Sequence, residues 1–133
     1  MRLGLIGLGL LGGSLLKAFR AAPGGPHRLG HEATSGGVVA VEPDAQARAL
    51  AEADGLVDVL AAEPTEALAT CDLVFLCAPV GVVESLLGPV SARMRPGAVL
   101  SDVAGVKLSV LAHARQTVRP GVHFVGAHPM FGG

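Results

Sequence analysis

Gly7-Leu-Gly9-Leu-Leu-Gly12 restricts this chain more than any other stretch. It follows Arg2-Leu-Gly-Leu-Ile6, an apolar run that reads as a short buried strand. It precedes residues 11–22, where Leu11, Leu15, Leu16 and Phe19 fall at helical spacing. A strand must therefore turn into a helix over a few glycine-rich residues. Gly7 permits the tight turn and Gly12 lets the helix pack close to the strand. Gly9 lets the backbone approach a pyrophosphate with no Cβ in the way. The helix start adds free N–H groups and the positive end of a dipole. The backbone of Gly7, Leu8, Gly9, Leu10, Leu11 and Gly12 is the expected phosphate cradle.

The remaining pattern alternates strand and helix. Apolar runs at 38–41, 56–60, 73–77, 98–101 and 121–127 read as strands. Helices are expected over 44–54, 81–94 and 107–118, with one or two helical turns at 64–70. Val82, Val83, Leu86, Leu87 and Val90 form the apolar stripe of the third long helix. Strands that are apolar throughout are buried on both faces, which implies a parallel sheet between helix layers. The expectation is one α/β domain over 1–133, a doubly wound Rossmann-type dinucleotide-binding sheet.

Such a site calls for an acid at the end of the second strand, about 20 residues beyond the glycines, to hold ribose hydroxyls. Glu42 is at the right place in the pattern but stands 30 positions after Gly12. The spacing holds if the Gly/Pro-rich stretch 23–37 is an insertion, which costs little in a surface loop. A carboxylate there repels a 2′-phosphate, so NAD is expected over NADP.

Composition removes several alternatives. Lys plus Arg total 10 against 11 Asp plus Glu, and aromatic residues are 3% with no Trp or Tyr. Nucleic-acid binding thus lacks both its charge and its stacking surfaces. No apolar run reaches the length of a membrane helix. Arg2 and the apolar residues 3–16 look like the start of a signal peptide, but five glycines interrupt the run and Lys17 and Arg20 follow it. Cys71 and Cys77 flank a strand that would hold them roughly 20 Å apart, too far for a disulfide. Free thiols suit a reducing, cytoplasmic setting. His27, His31 and Glu32 sit in the Gly/Pro-rich loop with no fixed geometry, and no metal site is expected.

Four segments taken together resemble the prephenate and arogenate dehydrogenases. They are Gly7-Leu-Gly-Leu-Leu-Gly-Gly-Ser14, Ala78-Pro79-Val80, Asp102-Val-Ala-Gly-Val-Lys107 and Gly126-Ala-His-Pro-Met130, in that order. The resemblance implies NAD-dependent oxidative decarboxylation of prephenate to 4-hydroxyphenylpyruvate, a step of tyrosine biosynthesis. It implies His128 as the catalytic residue, Ala78, Pro79, Val80 and Asp102 at the cofactor, and Gly105, Lys107 and Met130 near the substrate. An imidazole with an ordinary pKa of about 6.5 suits the role of proton acceptor near neutral pH. Gly105 occupies the place of a family serine and brings no hydroxyl. Lys107 reads equally well as an electrostatic aid to the substrate or as a solvated lysine at a helix start.

Family members continue into a helical C-terminal domain that supplies most of the dimer interface and the basic groups for the substrate carboxylates. The arginines of this chain fall mostly away from the carboxyl edge of the expected sheet. The chain is therefore expected to be the cofactor half, with exposed apolar surface where that domain docks. The parent is expected to be a homodimer. Two other readings stand beside this one. One is another NAD(P)-dependent dehydrogenase or reductase of the same fold, such as one acting on a β-hydroxy acid. The other is a non-catalytic NAD-sensing module.

Overall fold

The computed structural model describes residues 1–22 and 37–130. His27, Arg28, His31, Glu32 and nearly all of the expected insertion lie outside the described residues. The strands are β1 (Arg2–Ile6), β2 (Gly37–Val41), β3 (Val59–Ala61), β4 (Leu73–Leu76), β5 (Val99–Asp102) and β6 (His123–Gly126). The helices are α1 (Leu10–Ala21), α2 (Ala45–Asp54), α3 (Val80–Arg93) and α4 (Lys107–Thr117), with a short 3₁₀ helix at Glu66–Thr70. One sheet runs β3-β2-β1-β4-β5-β6, and every pairing is parallel. This is the doubly wound dinucleotide-binding fold, with its topological switch between β1 and β4.

The two faces of the sheet bury separate cores. Leu3, Leu5, Val38 and Ala40 point to one face and pack with Leu16 of α1. Ile6, Val39, Val41, Val74, Leu76 and Leu100 point to the other. There they meet Val83, Leu87 and Val90 of α3, and Val110 and Ala114 of α4. Alternate residues of β2 thus serve opposite cores, which is why the strand is apolar at every position. Each fully buried Leu or Val contributes about 1.5–3 kcal/mol. Val82 falls outside the α3 stripe and is exposed.

Two strands, β3 and β6, depart most from the sequence pattern. β3 begins at Val59 rather than residue 56, because Leu56 and Val57 pack on the α1-side core instead of joining the ladder. Gly55 ends α2 in a left-handed conformation, and the Leu56 carbonyl accepts from Arg20 Nε at 2.7 Å. β6 spans only 123–126, since Gly121 takes a turn at φ +93° and the Ala127 amide turns towards Asp102.

The amino edge of the sheet is tied by ion pairs. Arg20, almost fully buried, donates from Nη2 to Asp58 Oδ2 at 2.8 Å, and the same oxygen accepts the Val38 N–H at 2.6 Å. Asp72 Oδ2 accepts the Arg2 N–H at 2.6 Å, and its other oxygen pairs with Arg95. Burial raises the Asp58 carboxyl, but the Val38 amide and the Arg20 guanidinium together hold it below its ordinary value. The Arg2 amide, with Arg95, holds Asp72 low against a weaker burial effect. Both groups bind protons more weakly folded than unfolded. Their stabilisation is present above about pH 4 and is lost as pH falls through the lower folded values. Urea melts should show a midpoint that drops below about pH 4, with a shallower drop in Asp58→Asn. A midpoint at pH 3 equal to that at pH 6 would contradict this.

The two cysteines are free. Burial pushes the Cys71 thiol up to about 11 and the Cys77 thiol up to about 12, the latter helped by the Asp102 charge. Thiolates react and thiols do not. Native protein at pH 8 should resist a thiol reagent that labels both sites in denaturant. Rapid labelling of either site without denaturant would show that the local packing opens.

Candidate functional site

Because every strand is parallel, the ends of β1, β2, β4, β5 and β6 share one carboxyl edge. That edge collects Gly7, Glu42, Ala78, Asp102 and His128. Gly7 sits at φ +96°, and a Cβ there would lie 2.4 Å from the Cys77 carbonyl oxygen. A Cβ on Gly12 would lie 1.9 Å from the Gly7 carbonyl oxygen. A Cβ on Gly9 would meet nothing within 4 Å. The first and third glycines are thus required by the protein's own packing. The second leaves a space that a side chain would fill.

Gly9 is also the N-cap of α1, and no side chain caps this helix. α2 differs: Asp44 accepts the Ala47 N–H at 2.8 Å. The start of α1 therefore keeps amide donors and dipole available for an anion.

Glu42 is buried at the end of β2. Its Oε2 accepts the Leu8 N–H at 2.7 Å, and its Oε1 accepts the Asp44 N–H at 2.9 Å. The acid thereby fastens the glycine turn to the second strand across the stretch that separates them in sequence. Each carboxylate oxygen has a further lone pair for a hydroxyl donor. Arg48 stands beside it, with Nη1 donating to the carbonyls of Glu42 at 2.8 Å and Pro43 at 2.7 Å. This arginine is at the carboxyl edge, an exception that the sequence pattern did not mark. Its signal was its place in the first turns of the helix following the acid.

Across the switch point, Ala78 is half-buried and Pro79 is exposed, with Val80 opening α3. The Pro79 carbonyl accepts the Val82 and Val83 N–H groups, each at 2.9 Å. A groove of about 290 Å³ opens beside the turn between α1 and α2, lined by Leu8, Gly9, Leu10, Ser14, Lys17 and Leu50 among others. It runs along the helices of the α1 face, while His128 follows β6 at the far end of the sheet.

His128 is exposed and lies against Gly105: its Nε2 is 3.7 Å from where a Cβ at 105 would stand. Lys107 is half-buried and its ammonium pairs with the fully buried Asp102. Leu108, Val106, Val125 and Met130 are exposed around this end of the sheet. Among the described residues no cluster of metal ligands occurs and no helix is long and apolar enough to cross a membrane.

A dinucleotide fits these groups: a space at Gly9 that a Cβ would fill, an uncapped α1 and a carboxylate after β2 are the chemistry that a pyrophosphate and a ribose call for.

Comparison with known proteins agrees. 4-Amino-4-deoxyprephenate dehydrogenase of Streptomyces pristinaespiralis is 39% identical over 69 residues, covering 52% of this chain and 23% of that protein. The crystal structure of Synechocystis arogenate dehydrogenase superposes with a TM-score of 0.76 at 29% identity, covering 97% of this chain and 41% of that one. Prephenate dehydrogenase from A. aeolicus, in complex with hydroxyphenyl propionate and NAD+, gives 0.77 at 22% identity, covering 98% and 42%. The chain spans less than half the length of each of these proteins. The family model described as prephenate dehydrogenase, nucleotide-binding domain, matches residues 28–133, and the chain belongs to that family.

Proposed function

We propose that residues 1–133 are the cofactor half of a prephenate dehydrogenase, and that the parent enzyme converts prephenate and NAD to 4-hydroxyphenylpyruvate, carbon dioxide and NADH. The observation that carries this reading is one sheet edge holding both an open, uncapped glycine turn fastened to Glu42 and a His128 pressed on Gly105. Bound NAD supplies the hydride acceptor. The amides around Gly9 and the start of α1 hold its pyrophosphate, and Glu42 accepts from its adenosine ribose. The turn after β4, from Ala78 to Val80, flanks it. Hydride leaves the ring carbon that bears the hydroxyl, while His128 takes the hydroxyl proton at Nε2. Loss of carbon dioxide returns an electron pair to the ring, and the proton goes back to the oxygen of the aromatic product. Gly105 and Met130 border the space beside His128. The groups for the two substrate carboxylates come from the helical domain of the parent, which also forms its homodimer. Two free thiols suit a cytoplasmic enzyme.

One observation favours a second substrate. Gly105 offers no hydroxyl to His128, and the Streptomyces relative acts on an amine-bearing analogue of prephenate by its name. An amine feeds its own lone pair into the ring as hydride leaves and makes less demand on a base.

The deciding experiment assays the full-length gene product with prephenate, arogenate and 4-amino-4-deoxyprephenate, each with NAD and NADP. Prephenate with NAD should turn over fastest. Faster turnover of the amine would establish the second substrate instead. No turnover of any of them would sink both readings.

A further inference from the structure

We propose that Asp102 is a positioning residue for His128: its buried carboxylate, neutralised by Lys107, holds the backbone after β5 and the backbone after β6 at a fixed separation. This deepens the proposed function and rests on His128 as the proton acceptor. Asp102 ends β5 and is fully buried. Its Oδ2 accepts the Ala104 N–H at 2.9 Å and the Lys107 ammonium. Its Oδ1 accepts the Ala127 N–H at 3.3 Å.

Ala104 immediately precedes Gly105, and Ala127 immediately precedes His128. One carboxylate thus bridges the two segments that meet at 3.7 Å beside Nε2. A second tie lies one residue earlier, where Ser101 Oγ donates to the Val125 carbonyl at 2.6 Å. Gly126 has no side chain, and Lys107 crosses it with Cδ 3.4 Å from the place of a Cβ. A buried carboxylate is strongly disfavoured without a counter-charge, which makes the lysine part of the clamp. Proton transfer tolerates little displacement of the base, and His128 sits on a short exposed segment beyond the sheet. Asp102 therefore acts through backbone geometry, without touching the substrate.

NMR on the 133-residue chain tests this without substrate or cofactor. The wild type should show a contact between the Gly105 α protons and the His128 ring, with slowed exchange of the Ala104 and Ala127 amides. In Asp102→Ala both amides should exchange at least about tenfold faster and the ring contact should vanish. Core amides such as Val39 and Val74 should remain protected. Lys107→Met should show the same losses, and Lys107→Arg should restore the wild-type pattern. If Asp102→Ala does not fold, the lysine pair decides. Unchanged exchange and ring contact in Lys107→Met overturn the clamp and leave the role of His128 standing. A lost contact, in a parent enzyme whose His128→Asn form stays fully active, upholds the clamp and removes the catalytic reading. In a parent enzyme that depends on His128, Lys107→Met should lower kcat more than it raises KM, with Lys107→Arg recovering kcat.

Discussion

Gly12→Ala should unfold far below the wild-type midpoint and bind no dinucleotide. Its Cβ would stand 1.9 Å from the Gly7 carbonyl oxygen and 3.2 Å from the Cys77 Cβ. Neither obstacle is the mobile end of a side chain. The helix start must move away from β1, or the turn must open, and either disturbs the Leu8 amide that Glu42 holds. Overpacking of a tight core costs about 1–3 kcal/mol, and a clash with backbone belongs at or beyond the top of that range. Gly9→Ala makes the control. Its Cβ would meet nothing within 4 Å, and its φ of −64° suits any residue. Its melting midpoint should stay near wild type while dinucleotide binding weakens sharply, because the methyl fills the space left for the pyrophosphate. Denaturant melts and calorimetric titration read both effects. Unchanged binding in Gly9→Ala would mean that the pyrophosphate lies elsewhere.

The second large effect concerns His128. His128→Asn in the full-length enzyme should lower kcat by about 10²–10⁴-fold, the usual contribution of a positioned base. That corresponds to roughly 3–5 kcal/mol of transition-state stabilisation. Dinucleotide affinity should stay within about threefold of wild type, because the glycine turn and Glu42 follow β1 and β2, and His128 follows β6, the edge strand three places beyond β1. Stability should barely change, since the side chain is exposed. A kcat equal to wild type would place the proton acceptor elsewhere in the parent.

The sheet was legible because its inner strands β2 and β4 are apolar at every position. The glycine turn was legible because strand, turn and helix occur in immediate succession. Glu42 stood out by its place at a strand end even though its distance from Gly12 was wrong. The start of β3 was not legible. Leu56 and Val57 are as apolar as strand residues, and it is their packing on the α1-side core, with the Arg20 bond to the Leu56 carbonyl, that takes them out of the ladder. The pairing of Lys107 with Asp102 was not legible either. The acid is five residues earlier at a strand end, and no periodicity relates the two. Arg48 was missed for the same reason: its contacts are to backbone carbonyls, which leave no trace in residue type.

Glu42 carries a consequence for anyone wishing to redesign cofactor preference on this scaffold. The obvious route to a phosphorylated ribose replaces the acid by a small neutral residue and leaves Arg48 to receive the added charge. Here that exchange would also strip the acceptors from the Leu8 and Asp44 amides, loosening the very loop that must grip the pyrophosphate. On the proposed reading, selectivity and grip reside in one side chain. A successful switch must supply a new anchor for the loop at the same time, and libraries that vary position 42 alone should return weak binders of either dinucleotide.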